Sequence, residues 1–159
     1  HVLDGGFGKW KKENKITNNK MVSTKTSNYK ANENKELVKN KLEIDKNISE
    51  NEFYVIDARS RERFEGKVVE SRKGLRSGSI KNSLCLPFAE LINKDDHTFI
   101  AKDKIVEKFS SIGLDYNKNV IFSCGSGITA SVLALAYSLI NAKYIPTIYD
   151  GSWSEYGKN

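Results

Sequence analysis

The sequence predicts an α/β fold: an open parallel sheet of about five strands with helices on both faces. Two observations carry that expectation. Short apolar runs rich in β-branched and aromatic residues recur at Phe53–Asp57, Ser83–Pro87, Val120–Phe122 and Tyr144–Tyr149, the length and composition of buried strands. Between them lie stretches with helix-spaced apolar residues and short connections, and such alternation favours parallel strands joined by crossover helices.

Taken in order, the chain opens on Leu3-Asp4-Gly5-Gly6-Phe7-Gly8-Lys9-Trp10, which overlays Tyr149-Asp150-Gly151-Ser152-Trp153-Ser154-Glu155-Tyr156 near the other end. A repeat at domain-sized spacing implies two copies of one fold. The expected organisation is residues 1–12 as the end of a first domain, 13–27 as an inter-domain linker and 28–159 as a second domain. Lys11 to Glu50 is dominated by Lys, Asn, Glu and Ser and reads largely as solvated linker. Within it, Asn28–Ala31 is the expected edge strand, and Leu37, Val38, Leu42, Ile44 and Ile48 have loose helical spacing.

Phe53–Asp57 is followed by Asp57-Ala58-Arg59-Ser60, polar groups at a strand's carboxyl end, where open α/β sheets place function. Asp57 and Arg59 read as structural partners there. Ser60 is the expected cap of a short helix through Arg61–Phe64. Glu65–Ser79, with its glycines and basic residues, reads as loop. Pro87 stops the next strand, and Leu91–Thr98 is a polar connection. Ile105, Val106 and Phe109 share a helical face in Asp103–Ile112, which Gly113 ends. Val120–Phe122 leads into a glycine-bearing loop and an Ala/Leu-rich helix over Ala130–Ala142. After Tyr144–Tyr149, Asp150-Gly151 turns the chain into a terminal helix.

Composition narrows the function. The net charge is +6, but the lysines alternate with asparagine and glutamate and form no arginine-rich stripe with stacking aromatics, so no nucleic acid is expected. The longest apolar run, near Ser131–Ile140, is too short to span a bilayer, and no membrane partner is expected. Two cysteines, Cys85 and Cys124, without metal-ligand spacing favour a reducing, intracellular compartment and no metal or organic cofactor.

Chemistry is expected at Cys124-Gly125-Ser126-Gly127-Ile128-Thr129. A cysteine at the mouth of a glycine turn before a helix faces convergent amides and the helix's positive end, both of which favour the thiolate. Arg63 and Arg72 flank the loop after the second strand. They read either as surface ion pairs or as a bidentate clamp for an acidic substrate. A cysteine protease needs a histidine base, and only His1 and His97 are present. A cysteine phosphatase needs an arginine where Ala130 stands. Redox exchange needs a resolving cysteine, and Cys85 reads as core. Sulfur transfer through a persulfide on Cys124 remains.

Asp57-Ala-Arg59-Ser60, Arg63-Phe64-x-Gly66, Arg72-x-Gly74, Gly78-Ser79-Ile80, the Cys124 loop and Tyr149-Asp-Gly-Ser-Trp153 together resemble the catalytic C-terminal domain of the rhodanese family. The resemblance runs from about Phe53 to the end, and Leu3–Phe7 resembles the end of the family's non-catalytic first domain. Within the family, Cys-Gly-Ser-Gly-Val-Thr marks enzymes that use 3-mercaptopyruvate, whereas thiosulfate enzymes carry basic residues after the cysteine. The resemblance implies that Cys124 becomes the persulfide, that Arg63 and Arg72 bind the substrate's carboxylate and keto oxygen, and that Ser126 joins a proton relay. It further implies that Thr129 closes the loop and that Gly125, Gly127 and Ile128 offer amides to the sulfur. The implied acceptor is a thiol such as reduced thioredoxin, or cyanide, and the first domain completes the cleft. Alternatives are a thiosulfate sulfurtransferase and a non-catalytic module that binds a partner protein. One departure concerns Gly78-Ser79-Ile80-Lys81-Asn82, where the family usually reads Gly-His-Ile-Pro-Gly; a structural turn is expected to bear that change. A second expectation is that Cys124 is more exposed without the first domain.

Overall fold

The computed structural model describes residues 1–158. Five strands, β1 (Val38–Lys39), β2 (Phe53–Asp57), β3 (Leu84–Cys85), β4 (Asn119–Ser123) and β5 (Ile148–Tyr149), form one sheet in the order β1-β5-β4-β2-β3. Every pairing is parallel, and the central pair runs in register from Phe53 opposite Asn119 to Asp57 opposite Ser123. The helices are α1 (Gly6–Lys12), α2 (Lys41–Glu50), α3 (Arg61–Phe64), α4 (Lys102–Ser111), α5 (Ile128–Ile140) and α6 (Ser152–Tyr156).

Alternate residues of the central strands serve opposite faces, as the two-residue period of a strand requires. Ile56, Val120 and Phe122 pack against α4 and α5 through Ile105, Phe109, Leu133 and Tyr137. Val55 and Ile121 pack on the other side with Ile44 of α2, Tyr149 and Trp153. The first face is knit by aromatic rings in edge contact: Phe109 with Tyr137 at 5.0 Å and Tyr137 with Tyr144 at 4.7 Å between centroids. Such pairs add about 0.5–1.5 kcal/mol each beyond the area they bury.

Five expectations need correction. Asn28–Ala31 is not the edge strand; residues 15–34 have no helix or strand, and Val38–Lys39 takes the edge beside β5. The helix in this region does not include Leu37 or Val38. Asn40 accepts from the Glu43 amide while the Glu43 carboxylate accepts from the Asn40 amide, and this reciprocal cap starts α2 at Lys41. Leu42 then points to solvent and Ile44 into the core. The last strand is only Ile148–Tyr149: Pro146 has no amide to donate, and the Thr147 amide is given to the Tyr144 hydroxyl. Val106 is exposed, whereas Ile105 and Phe109 are fully buried. Helix α5 also begins at Ile128, two residues before the expected Ala130, because Gly127 at φ 81° already turns the chain. Gly113, at φ 77°, ends α4 as expected.

The departing turn at residues 78–82 holds two left-handed residues, Gly78 at φ 110° and Asn82. Asn82 stands where the family's second glycine is expected and takes the left-handed region at φ 62°, which asparagine tolerates better than other residues with a Cβ. The preceding loop is sewn to the chain's other end: Leu75 bridges Lys158, the Arg76 amide donates to the Gly157 carbonyl, and Trp153 Nε1 donates to the Arg76 carbonyl at 2.9 Å.

Residues 1–12 lie against the 95–99 segment, with the Phe99 amide donating to Asp4 Oδ1 at 2.9 Å and Lys9 pairing with Asp96 at 3.3 Å. In the overlay of the two ends, Gly6 matches Ser152. Both adopt the left-handed region, at φ 60° and 48°, and each opens a short helix.

Truncating Phe109 to alanine is expected to lower stability by about 3–5 kcal/mol, the usual cost of emptying a buried aromatic site. Val106→Ala, on the wet side of the same helix, is expected to stay within about 1 kcal/mol. Urea unfolding of the two variants checks the orientation of α4.

Candidate active site

Cys124 follows β4 at the carboxyl edge of the sheet, where Asp57 and Ser123 end side by side. Four donors converge on its sulfur: the Thr129 hydroxyl and the amides of Ser126, Thr129 and Ala130. Burial is the largest single influence on the thiol and opposes ionisation. The Thr129 hydroxyl, then the amides, outweigh it together, so Cys124 titrates below the ordinary thiol value. Cys124 is only 2% exposed: the loop and its neighbours bury it within this chain.

The start of α6 holds this loop. Ser152 Oγ accepts from the amides of Cys124 and Gly127, each at 3.1 Å, and donates to the Tyr149 carbonyl at 2.8 Å. The Trp153 amide donates to the Cys124 carbonyl at 3.0 Å, and the Ser154 amide to the Gly125 carbonyl at 2.8 Å. With its carbonyls drawn toward α6, the loop turns other amides onto the sulfur. Gly127 is required on two counts. Its φ is 81°, and a Cβ there would lie 2.9 Å from Asp150 Oδ1.

Both predicted arginines reach the loop. Arg72 Nη1 donates to the Gly125 carbonyl at 2.9 Å and to the Ser154 hydroxyl, and Nη2 donates to Ser126 Oγ at 3.3 Å. A methyl group on Gly125 would sit 3.6 Å from Arg63 Nη2 and from Arg72 Nη1, so the two guanidinium groups share one side of that residue. Arg63 is also an ion pair, since its Nη2 donates to both oxygens of Glu70 at 2.8 Å. Arg59 is the structural partner foreseen for Asp57: its Nε and Nη2 hold the carboxylate, Nη2 also reaches the Gly78 carbonyl, and its guanidinium stacks 4.5 Å from the Trp153 ring centroid. Trp153 is thus core and no cofactor platform.

The predicted residues Cys124, Ser126, Thr129, Gly125, Arg63 and Arg72 therefore come together. One contribution differs from expectation: the Gly127 amide is committed to Ser152 Oγ, and the amides that lower the Cys124 thiol include those of Ser126, Thr129 and Ala130. Ile128 opens α5 with its side chain 76% exposed. Cys85 is half-buried, and its thiol is pushed up to about 11 by burial and then by the Asp57 charge, which leaves it unreactive at neutral pH.

Sequence reasoning missed two residues. Glu70, in the Glu65–Ser79 stretch read as loop, is buried among Arg59 and Arg63. Burial would raise its pKa, but the hydrogen bonds and charge of Arg63, with Arg59 behind, hold it below the usual carboxylate range. Ser152 had a visible signal: at a position with glycine's backbone angle, the other copy of the motif carries Gly6, so the serine is there for its hydroxyl.

The rate of Cys124 alkylation by iodoacetamide is expected to rise with pH around a midpoint below that of a free thiol, because the folded site favours the thiolate. Thr129→Val removes the hydroxyl donor and is expected to move the midpoint upward and slow alkylation at neutral pH about tenfold, the loss of one hydrogen bond to a charged group. Ser152→Ala is expected to act in the same direction through the released amides of Cys124 and Gly127. Peptide-mapped alkylation rates across pH check both.

The fold is shared with known proteins. The family profile described as Rhodanese-like domain matches residues 34–159. A 3-mercaptopyruvate sulfurtransferase of Escherichia coli is 33% identical over 156 residues, covering 98% of this chain and 54% of the relative. A mitochondrial thiosulfate/3-mercaptopyruvate sulfurtransferase of Arabidopsis thaliana is 35% identical over 114 residues, covering 72% of this chain and 30% of the relative. The crystal structure of SseA from Escherichia coli, a 3-mercaptopyruvate sulfurtransferase, superposes with a TM-score of 0.75 at 32% identity, over 92% of this chain and 53% of that one. The chain thus spans about half the length of the Escherichia coli relative, or less of the plant one. With a five-stranded parallel sheet in the order β1-β5-β4-β2-β3 and a cysteine loop at its carboxyl edge, the chain belongs to the rhodanese family.

Proposed function

We propose that this chain is the sulfur-transfer domain of a 3-mercaptopyruvate sulfurtransferase. The observation that carries the reading is the convergence of four donors on Cys124 Sγ beside two guanidinium groups over Gly125. The first feature favours the thiolate and suits the anionic outer sulfur of a persulfide; the second suits the carboxylate and keto oxygen of an α-keto acid. The relatives' names agree with that donor, and the absence of basic side chains at Gly125 and Ser126 disfavours thiosulfate as the main one.

In the proposed step the Cys124 thiolate attacks the sulfur of 3-mercaptopyruvate. An S–S bond forms and the C3–S bond breaks, its electron pair remaining on carbon as the enolate of pyruvate. The proton from the donor's thiol ends on C3, and Ser126, a loop hydroxyl held by Arg72, relays it. Arg63 and Arg72 hold the carboxylate and stabilise the enolate oxygen. A thiol such as that of reduced thioredoxin, or cyanide, then takes the outer sulfur and returns the Cys124 thiolate. A non-catalytic binding module would have no use for a thiol tuned in this way.

The same reading assigns residues 1–12 to the end of a first rhodanese-like domain, 13–27 to a linker and 28–159 to the sulfur-transfer domain. The repeated Asp-Gly corner with its shared left-handed residue supports this, as does the profile match beginning at residue 34. No helix among the described residues is long and apolar enough to cross a membrane. The two free thiols suit a reducing intracellular compartment, cytoplasmic or mitochondrial.

Incubation with 3-mercaptopyruvate is expected to add one sulfur atom to the intact mass, with no gain in Cys124→Ser. A gain from thiosulfate alone would transfer the assignment to a thiosulfate enzyme. No gain from either donor, repeated with the first domain supplied, would leave the binding module.

A further inference from the structure

The geometry points to Glu70 as the positioning residue for Arg63: it fixes the guanidinium by its Nη2 and leaves N–H groups of Nη1 and Nε to donate singly to the donor's carboxylate. This rests on the donor proposed above. Glu70 lies in the loop between α3 and β3, and its side chain is 2% exposed while that of Arg63 is 33% exposed. Both carboxylate oxygens accept from the single nitrogen Arg63 Nη2, each at 2.8 Å. No other hydrogen bond of the Arg63 side chain occurs among the described residues, so Nη1 and Nε keep their donors for a ligand.

The carboxylate is itself held from behind. Arg59 Nη1 is buried and has no hydrogen-bond partner, and Glu70 Oε2 lies 3.7 Å away. Arg59 cannot swing over to take the carboxylate fully, because Asp57 and the Gly78 carbonyl occupy its other nitrogens. Glu70 is therefore pinned between one arginine that cannot move and one that is partly exposed. A long, free arginine loses rotamer entropy when it closes on a ligand, and Glu70 removes that cost before binding. Arg72 needs no such partner, since the Gly125 carbonyl and the hydroxyls of Ser126 and Ser154 hold it directly.

The test uses pyruvate, the inert carboxylate product, as a competitor that protects Cys124 from iodoacetamide. In Glu70→Gln, which keeps the side chain's size, the pyruvate concentration giving half protection is expected to rise about tenfold, equivalent to one charge-assisted hydrogen bond. The unprotected alkylation rate is expected to change less than about threefold, since Glu70 does not touch the sulfur; a general loosening of the loop would move both. Arg63→Lys is expected to weaken protection comparably, and adding Glu70→Gln to it is expected to cost little more, because the two residues act as one unit. If the glutamine variant does not fold, Glu70→Asp keeps the charge, withdraws it from Arg63 and is expected to lose protection likewise. Undiminished protection in these variants, or effects of the Glu70 and Arg63 changes that simply multiply, would overturn the assignment while leaving the donor in place. Failure of pyruvate to protect the parent chain is a separate result that removes the keto-acid donor and the clamp with it.

Discussion

The site depends on one buried hydroxyl. Ser152 Oγ takes two amides of the cysteine loop and gives its proton to the Tyr149 carbonyl, so β5, α6 and the loop after β4 share one fixed point. Each of these bonds is worth only about 1 kcal/mol net, but an unpaired buried amide costs about 1–3 kcal/mol, so losing the hydroxyl is worse than the sum of its contacts. The strain of a non-glycine residue at φ 48° is offset by that hydroxyl. Gly6, at the matching place near the other end, has the same backbone sense without any hydroxyl to contribute.

Charge is arranged as carefully as backbone. Two carboxylates, Asp57 and Glu70, are buried near the site, and isolated each would be costly. Asp57 is satisfied wholly by Arg59, which makes that pair a fixed support under Trp153. Glu70 is shared between Arg59 and Arg63. Its pKa is held down in the folded chain, so the stability it adds is fully present above the ordinary glutamate value of about 4.3 and is lost as pH falls through the lower folded value. At neutral pH the carboxylate is charged and the clamp intact.

Much of this was legible in the sequence. The long central strands, the helix ended by Gly113 and the cysteine turn carry strong local signals, because apolar runs and glycines act over a few residues. The edge was less legible. Asn28–Ala31 and Val38–Lys39 are both short and polar, and only pairing with Ile148–Tyr149 decides between them. Asn40 and Glu43 did carry the start of α2, as a cap whose two halves lie three residues apart. Glu70 was illegible for a different reason. A glutamate between Val69 and Ser71, in a loop also holding Lys67, Arg72 and Lys73, has no periodicity to betray burial; its place comes from the loop being sewn to the last helix through Leu75, Arg76 and Trp153. The orientation of amides at Cys124 was likewise beyond a motif, which names glycines without saying which N–H faces the sulfur.

The amides and the burial at Cys124 act against one another, and the balance explains why the loop is so closely held. Removing water from a thiolate disfavours it, whereas four donors aimed at the sulfur favour it, and the donors prevail. In an open loop the thiolate would be solvated by water, which must be shed before attack. In this loop the shell is protein and already in place, and the guanidinium groups of Arg63 and Arg72 lie against the neighbouring Gly125. An outer sulfur bound to Cys124 inherits the same confined setting. The rigidity supplied by Ser152 and the charge placed by Glu70 therefore serve a single requirement, that the anion move from sulfur to sulfur without the surrounding donors having to rearrange.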